Sequence, residues 1–159
     1  MIYRTASSAD IQELTEIRAL FLAEEFGEGD FSEEKTVLPD YFSRHLGNDL
    51  TVFVADDGGR IAAAVFLMIS EKPANPRFPR GMTGTVMNVF IRREYRRRGI
   101  AGALMKMLIE YAENAQLDII ELKASESGYP LYKKLGFEED TFPDKPMKYI
   151  VSKEKKCRT

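Results

Sequence analysis

The stretch best suited to do chemistry is Arg96-Arg97-Arg98-Gly99-Ile100-Ala101-Gly102. It lies between a β-rich run ending near Ile91 and the most regular helical pattern in the chain. In that pattern Ile100, Ala103, Leu104, Met107, Leu108 and Tyr111 recur at the spacing of one buried face. The first turn of a helix leaves backbone N–H groups unpaired. Together with the helix dipole, those donors attract an anion. Gly99, Ala101 and Gly102 let a phosphate approach the backbone, and Arg96, Arg97 and Arg98 can add charge-assisted hydrogen bonds. The segment reads as a phosphate or pyrophosphate site at a strand-to-helix turn. The competing reading is an ordinary turn with solvated arginines. No Gly-Lys-Ser/Thr sequence follows, which excludes a Walker-type loop, and the third glycine of a dinucleotide fingerprint is missing.

Composition narrows the remaining chemistry. The 159 residues contain one cysteine and one histidine, Cys157 and His45. That excludes a disulfide framework, a thiolate metal site and a two-histidine acid/base scheme, so no metal is expected. Net charge is −2, with 23 basic and 25 acidic residues, which argues against a general nucleic-acid binder despite five arginines between 92 and 98. The longest apolar run, Ile61–Ile69, is nine residues. That is too short to span a bilayer, and no leader peptide is visible, so no membrane partner and a reducing cytoplasm are expected. A chain of this size buries roughly 68–70% of its unfolded surface, enough for one core. One domain over residues 1–152 with a charged tail at 153–159 is the expected organisation.

The elements that must position the arginine-rich turn follow from patterning. Residues 2–5 suggest a short strand. Ser7 and Asp10 have capping-box spacing ahead of a helix carrying Ile11, Leu14, Ile17, Leu20 and Phe21 on one face. Gly27 and Gly29 end it. A second helix, about Glu33–Leu46, contains Pro39, which should kink or split it. Leu50–Ala55 and Arg60–Ile69 around Asp57-Gly58-Gly59 predict a hairpin. Residues 71–81, with three prolines, form a loop. A strand at Thr85–Ile91, the helix from Gly99 and a strand at Ile119–Ala124 make a unit with parallel pairing. A short helix at Gly128–Leu135 stops at Gly136, and Phe137–Glu139 and Met147–Ser152 look like two final strands. The seven methionines serve as core filling.

Two motifs in this order resemble the GNAT superfamily of N-acetyltransferases. Arg96-Arg97-Arg98-Gly99-Ile100-Ala101 matches the family's Arg/Gln-x-x-Gly-x-Gly/Ala signature for acetyl-CoA. Leu131-Tyr132-Lys133-Lys134-Leu135-Gly136-Phe137 matches its Leu-Tyr-x-x-x-Gly-Phe segment, with Tyr132 placed 36 positions after Arg96. The resemblance covers nearly the whole chain. It implies an α+β fold: a twisted, mixed, mostly antiparallel sheet of six to seven strands, flanked by about four helices and splayed between the fourth and fifth strands.

The resemblance also implies roles. Acetyl-CoA would be the donor and a primary amine the acceptor, joined by direct attack in a ternary complex. The backbone of Arg97–Gly102 would cradle the pyrophosphate, and the pantetheine arm would lie along Val89, Phe90 and Ile91 as an added strand. Arg92, Arg93 and Lys134 are candidate partners of the 3′-phosphate, with plain surface charge as the alternative. Tyr132 would donate to the departing thiolate, with Tyr129 a weaker candidate. The fourth strand has no Glu where some members carry one. Asn88, its lone amide, is a candidate for orienting the acceptor or a water, and Glu121 is a further candidate base. Many members place an Asn where this chain has Ser125, which would replace it near the cofactor or cap the short helix. Segment 24–32, with Glu24, Glu25, Glu28 and Asp30, and loop 71–81 would flank the acceptor. Homodimers are frequent in the family, so a second copy is a candidate partner. The rival class is a non-catalytic acyl-CoA sensor.

Overall fold

The computed structural model describes residues 1–152. The tail at 153–159, with Cys157, lies outside the described residues. In chain order the elements are β1 (Ile2–Thr5), a 3₁₀ turn (Ser8–Asp10), α1 (Ile11–Phe26), α2 (Ser32–His45), β2 (Leu50–Asp57), β3 (Arg60–Glu71) and β4 (Met82–Ile91). A second 3₁₀ turn (Arg93–Tyr95), α3 (Ile100–Asn114), β5 (Ile119–Glu121) and α4 (Tyr129–Lys134) complete the order. The five strands lie in sequence order in one sheet. β1 to β4 pair antiparallel and β4 pairs β5 parallel. This is the mixed α/β sheet the resemblance implied, with five strands among the described residues instead of six to seven.

The two missing strands were expected at Phe137–Glu139 and Met147–Ser152, and residues 137–152 contain no regular element. Pro143 and Pro146 remove ladder donors there. Met147, Tyr149, Ile150 and Val151 remain exposed. β5 is also shorter than expected, ending at Glu121. Pro39 neither splits nor ends α2, which runs through it from Ser32 to His45.

The sheet is covered on both faces, which explains the continuous apolar run of β3. On one face Leu14 and Ile17 of α1 and Phe42 of α2 pack on Leu50, Val52, Val54, Ala64, Phe66 and Phe90. On the other, Leu104, Met105 and Leu108 of α3 and Tyr132 of α4 pack on Phe53, Ala63, Val65, Leu67 and Val86. Leu20, expected on the apolar face of α1, is exposed, whereas Met105 is fully buried. The β2–β3 hairpin turns at Gly58 and Gly59, both at positive φ, as a two-residue loop of right-handed twist requires.

Arg4 fastens the start of the chain to this frame. Its guanidinium donates to both oxygens of Asp10 at 2.8 Å and to Asp56 at 2.9 and 3.2 Å. Asp10 also accepts from the Ser7 N–H at 2.7 Å, the closing half of the capping box. The hydrogen bonds from Arg4 hold the Asp10 carboxyl below its ordinary value. A depressed carboxyl contributes its full stability above the unfolded-state value near pH ~4 and loses it as pH falls through the folded-state value. Arg4→Met should cost about 2 kcal/mol at pH 7, a fall in Tm of roughly 4–8 °C. Calorimetric scans should show the gap to wild type narrowing below pH ~4.

Candidate active site

The central feature is an irregularity in β4. Phe66 pairs with Asn88 and Leu67 with Val86, so Met87 is an extra, unpaired residue. Such a bulge shifts the alternation of side chains by one. Val86 therefore faces the α3 layer, while Asn88 and Phe90 turn to the α1 layer and Val89 and Ile91 return to α3. β5 pairs only with Thr83, Gly84 and Thr85. Gly84 leaves room there for two leucines, since a Cβ would stand 2.8 Å from Leu67 Cδ1 and 3.0 Å from Leu117 Cδ1 and make their side chains shift. Past Thr85 no described strand pairs the outer edge of β4. The sheet is splayed at this point, and an extended ligand can add to the open edge.

The arginine-rich turn follows directly. Arg97 and Gly99 both have positive φ, at 61° and 76°. Among the described residues no acceptor receives the N–H groups of residues 97–102; the first helical bond of α3 comes from Ala103 to the Gly99 carbonyl. A Cβ built on Gly99 meets nothing within 4 Å. Successive N–H groups in such a turn converge as an anion nest. Ile100 anchors the helix start in the core, where it is buried. A Cβ built on Gly102 would meet Leu131 Cδ1 of α4 at 3.6 Å, an ordinary contact.

The five arginines divide by partner. Arg92 is structural: it donates to the Ile61 carbonyl at 2.8 Å and to Glu13 at 3.2 Å. Arg93 is exposed and lies 3.6 Å from Glu24. Arg96 is also engaged: its Nε donates to the Ile91 carbonyl at 2.9 Å, and its Nη2 pairs with Glu24. The pairing ties the end of α1 to the turn. It also occupies one of the β4 carbonyls expected to meet the pantetheine arm. Arg97 and Arg98 are exposed and carry no ion pair among the described residues, Arg98 resting over the Tyr95 ring. Lys134 is exposed as well.

Tyr132 is buried in the α3 layer, edge-on to Phe137, and its hydroxyl has no hydrogen-bond partner among the described residues. Burial raises its phenol above the ordinary value. Gly128 makes room for it, since a Cβ there would come within 2.9 Å of the ring. Ser125 receives the Gly128 N–H on its Oγ at 3.1 Å and the Tyr129 N–H on its carbonyl at 2.9 Å, so it caps the turn into α4. The Tyr129 hydroxyl is engaged with Glu139. Asn88, 1% exposed, accepts from Arg18 Nη1 at 3.2 Å and leaves its own Nδ2 without a partner. Asn88 and Tyr132 thus belong to opposite layers, on either side of the splay. His45 pairs with Asp49 at 2.7 Å and stacks on Tyr41, away from these elements.

Arg18 is the functional candidate that patterning missed. It sits on an apolar helix face, and only the bulge brings it to Asn88, 70 residues further along the chain. Among the described residues no three His, Cys, Asp or Glu side chains group as a metal site, and no helix is long and apolar enough to cross a membrane. The two roles seen for the arginines predict different thermal behaviour without any ligand. Arg96→Ala loses a backbone hydrogen bond and a half-exposed ion pair, about 1–2 kcal/mol. Arg98→Ala should stay within about 0.5 kcal/mol of wild type. Denaturant melts of the two variants check this.

Comparison with known proteins fits this geometry. The profile of the GNAT acetyltransferase family matches residues 11–137. A protein of Clostridium acetobutylicum, described as a predicted acetyltransferase and crystallised with acetyl-CoA, superposes with a TM-score of 0.81 at 27% identity. That superposition covers 94% of this chain and 96% of the other. A GCN5-related N-acetyltransferase of Ralstonia eutropha JMP134 superposes with a TM-score of 0.75 at 25% identity, over 92% and 97% of the two chains. A glucosamine 6-phosphate N-acetyltransferase of Trypanosoma brucei brucei is 33% identical over 96 residues, which are 59% of this chain and 62% of that relative's length. With the profile matched over most of its length, the chain belongs to the GNAT family, whose members are acyltransferases that take acetyl-CoA as donor.

Proposed function

We propose that this protein is an N-acetyltransferase that moves the acetyl group of acetyl-CoA to a primary amine by direct attack in a ternary complex. The observation that carries the reading is the run of N–H groups at residues 97–102 that are unpaired among the described residues, following the open edge of β4. Those donors suit the pyrophosphate of coenzyme A, with Arg97 and Arg98 as free cations beside it. The open edge of β4 from Val86 to Phe90 suits an extended amide-bearing arm. Acetyl-CoA, when bound, supplies an activated thioester whose acyl carbon is open to an amine.

The chain's own residues would act on that thioester as follows. Backbone donors at the splay would polarise its carbonyl. Tyr132 keeps its proton, because burial raises its phenol, and its unpartnered hydroxyl can donate to the departing sulfur. A phenol raised above its ordinary value is a weaker acid than a thiol, so a hydrogen bond is the larger part of its contribution. Asn88 lies on the α1 side, and its spare amide donor can orient the acceptor. Lys134 and Ser125 lie at the edges of this reading: the first as a surface cation, the second as the cap that sets α4 and so Tyr132.

Four outcomes are expected. Saturation with acetyl-CoA or CoA, at about 100 times Kd, should stabilise the protein by roughly 2.7 kcal/mol. Tm should then rise roughly 5–10 °C, with no rise for ATP; no shift with CoA would remove the donor site. Gly99→Val should abolish that shift, because the nest needs positive φ. In a thiol-release assay across amines, including glucosamine 6-phosphate because of the relative that bears that name, Tyr132→Phe should lower kcat at least about tenfold. Its KM for acetyl-CoA should be little changed. For an alkylamine acceptor kcat/KM should climb about tenfold per pH unit from 7 to 9, following the neutral amine. Tyr132 should impose no fall in that window, since its raised phenol stays protonated.

A further inference from the structure

Arg18 is a half-buried guanidinium on the sheet-facing side of α1, next to Ile17 and Leu22. Among the described residues it forms no ion pair. Its contacts are the Asn88 Oδ1 at 3.2 Å and the face of the Phe21 ring, 5.0 Å from its centroid. Glu25 and the Tyr41 phenol act on it through space, and neither bonds it. A guanidinium has five donors in a rigid fork, and most of these are unspent. The Asn88 Nδ2 beside it is a second unspent donor, wholly buried and without a partner. An amide and a guanidinium joined in this way offer N–H groups and no acceptor. That pattern is complementary to an oxyanion and repels an ammonium.

The pair lies on the α1 side of β4, whereas the nest at 97–102 opens α3, which packs on the opposite face of the sheet. An oxyanion held here is therefore separate from the pyrophosphate of the donor. We propose that Arg18 and Asn88 bind a carboxylate or phosphate group carried by the acceptor, so that the acceptor is an amine bearing an anionic group and not a polyamine. This rests on the acetyltransferase reading for its purpose, yet it can be tested without turnover. A bound oxyanion would accept from both Arg18 and the Asn88 Nδ2, giving the orphaned donor a partner and the guanidinium a counter-charge. It would also leave the amine end of the acceptor free to face the splay.

The test is calorimetric titration of the CoA-saturated protein with two matched pairs, glucosamine 6-phosphate against glucosamine and L-alanine against L-alaninamide. The first pair reports a phosphate site, the second a carboxylate site. In at least one pair the anionic member should bind at least tenfold tighter. Arg18→Gln should abolish that preference and Arg18→Lys should keep part of it, with CoA affinity unchanged in both. Asn88→Asp supplies an internal counter-ion to Arg18 in a fold that keeps the guanidinium satisfied, and it should also abolish the preference. It carries the test if Arg18→Gln does not fold. Equal binding within both pairs, binding of none of the four amines, or a preference that survives Arg18→Gln and Asn88→Asp overturns the proposal. Thiol release separates the two readings. An anion preference without any turnover of acetyl-CoA upholds this site and defeats the transferase. Turnover of glucosamine or alaninamide as fast as of their anionic partners, unaffected by Arg18→Gln, does the reverse.

Discussion

The arrangement depends on one constraint: β4 cannot pair with β5 along its whole length. Three residues of β4 hold β5, and then the Met87 bulge bends the strand away. A sheet edge with unspent backbone groups is ordinarily a liability that proteins cover or shorten. Here the exposed stretch is followed, after one 3₁₀ turn, by a segment whose N–H groups are also unspent among the described residues. Two kinds of unsatisfied backbone, a strand edge and a helix start, are thus placed end to end. A ligand with an amide arm and a diphosphate matches both in the same order, which is why the proposed donor suits the fold better than a nucleotide alone would.

The bulge acts a second time, through its effect on side chains. Without it Asn88 would share the α3 face with Val86. The extra residue turns Asn88 towards α1, where it meets Arg18. The α1 helix is itself held in place by charges drawn from the far end of β4. Glu13 accepts from the Ile61 N–H at 3.1 Å and from Arg92, and Glu24 pairs with Arg96. Exposed ion pairs such as Arg96–Glu24 add little to stability individually. Their effect is positional: they link the helix carrying Arg18 to the turn that precedes α3.

Legibility in the sequence follows the range of the forces involved. The helix of α3, the hairpin at Gly58-Gly59 and the arginine-rich turn are encoded by neighbours within a few residues, and each lies where periodicity and turn chemistry predict. The orphaned amide of Asn88 and the burial of Arg18 depend on residues far apart and on a bulge that no local pattern marks, since Met87 is an ordinary strand residue. The roles of the arginines were equally hidden. Composition makes the five look alike, while the fold spends Arg92 and Arg96 on carbonyls and carboxylates and leaves Arg97 and Arg98 free. The strands expected after Gly136 show the opposite failure. Alternating apolar residues at 147, 149 and 151 suggest a strand, but a strand needs a partner edge, and β5 offers only three residues.

Two non-glycine residues in the described chain adopt positive φ, and their contrast bears on the site. Gln116 follows the end of α3, where its N–H reaches the Glu113 carbonyl at 3.0 Å and that of Leu117 reaches Ala112 at 3.0 Å. That is a Schellman cap, and the strain is offset by two hydrogen bonds and the burial of Leu117 against the core. Arg97 has no such compensation: its N–H and those of the five residues after it have no acceptor among the described residues. A left-handed residue costs roughly 1–2 kcal/mol, and glycine would avoid most of that. Keeping an arginine at this φ retains a cation at the mouth of the nest, and that suits a binding site more than a turn. Strain left unrepaid by the protein itself, beside donors equally unrepaid, is the pattern expected where a ligand completes the structure.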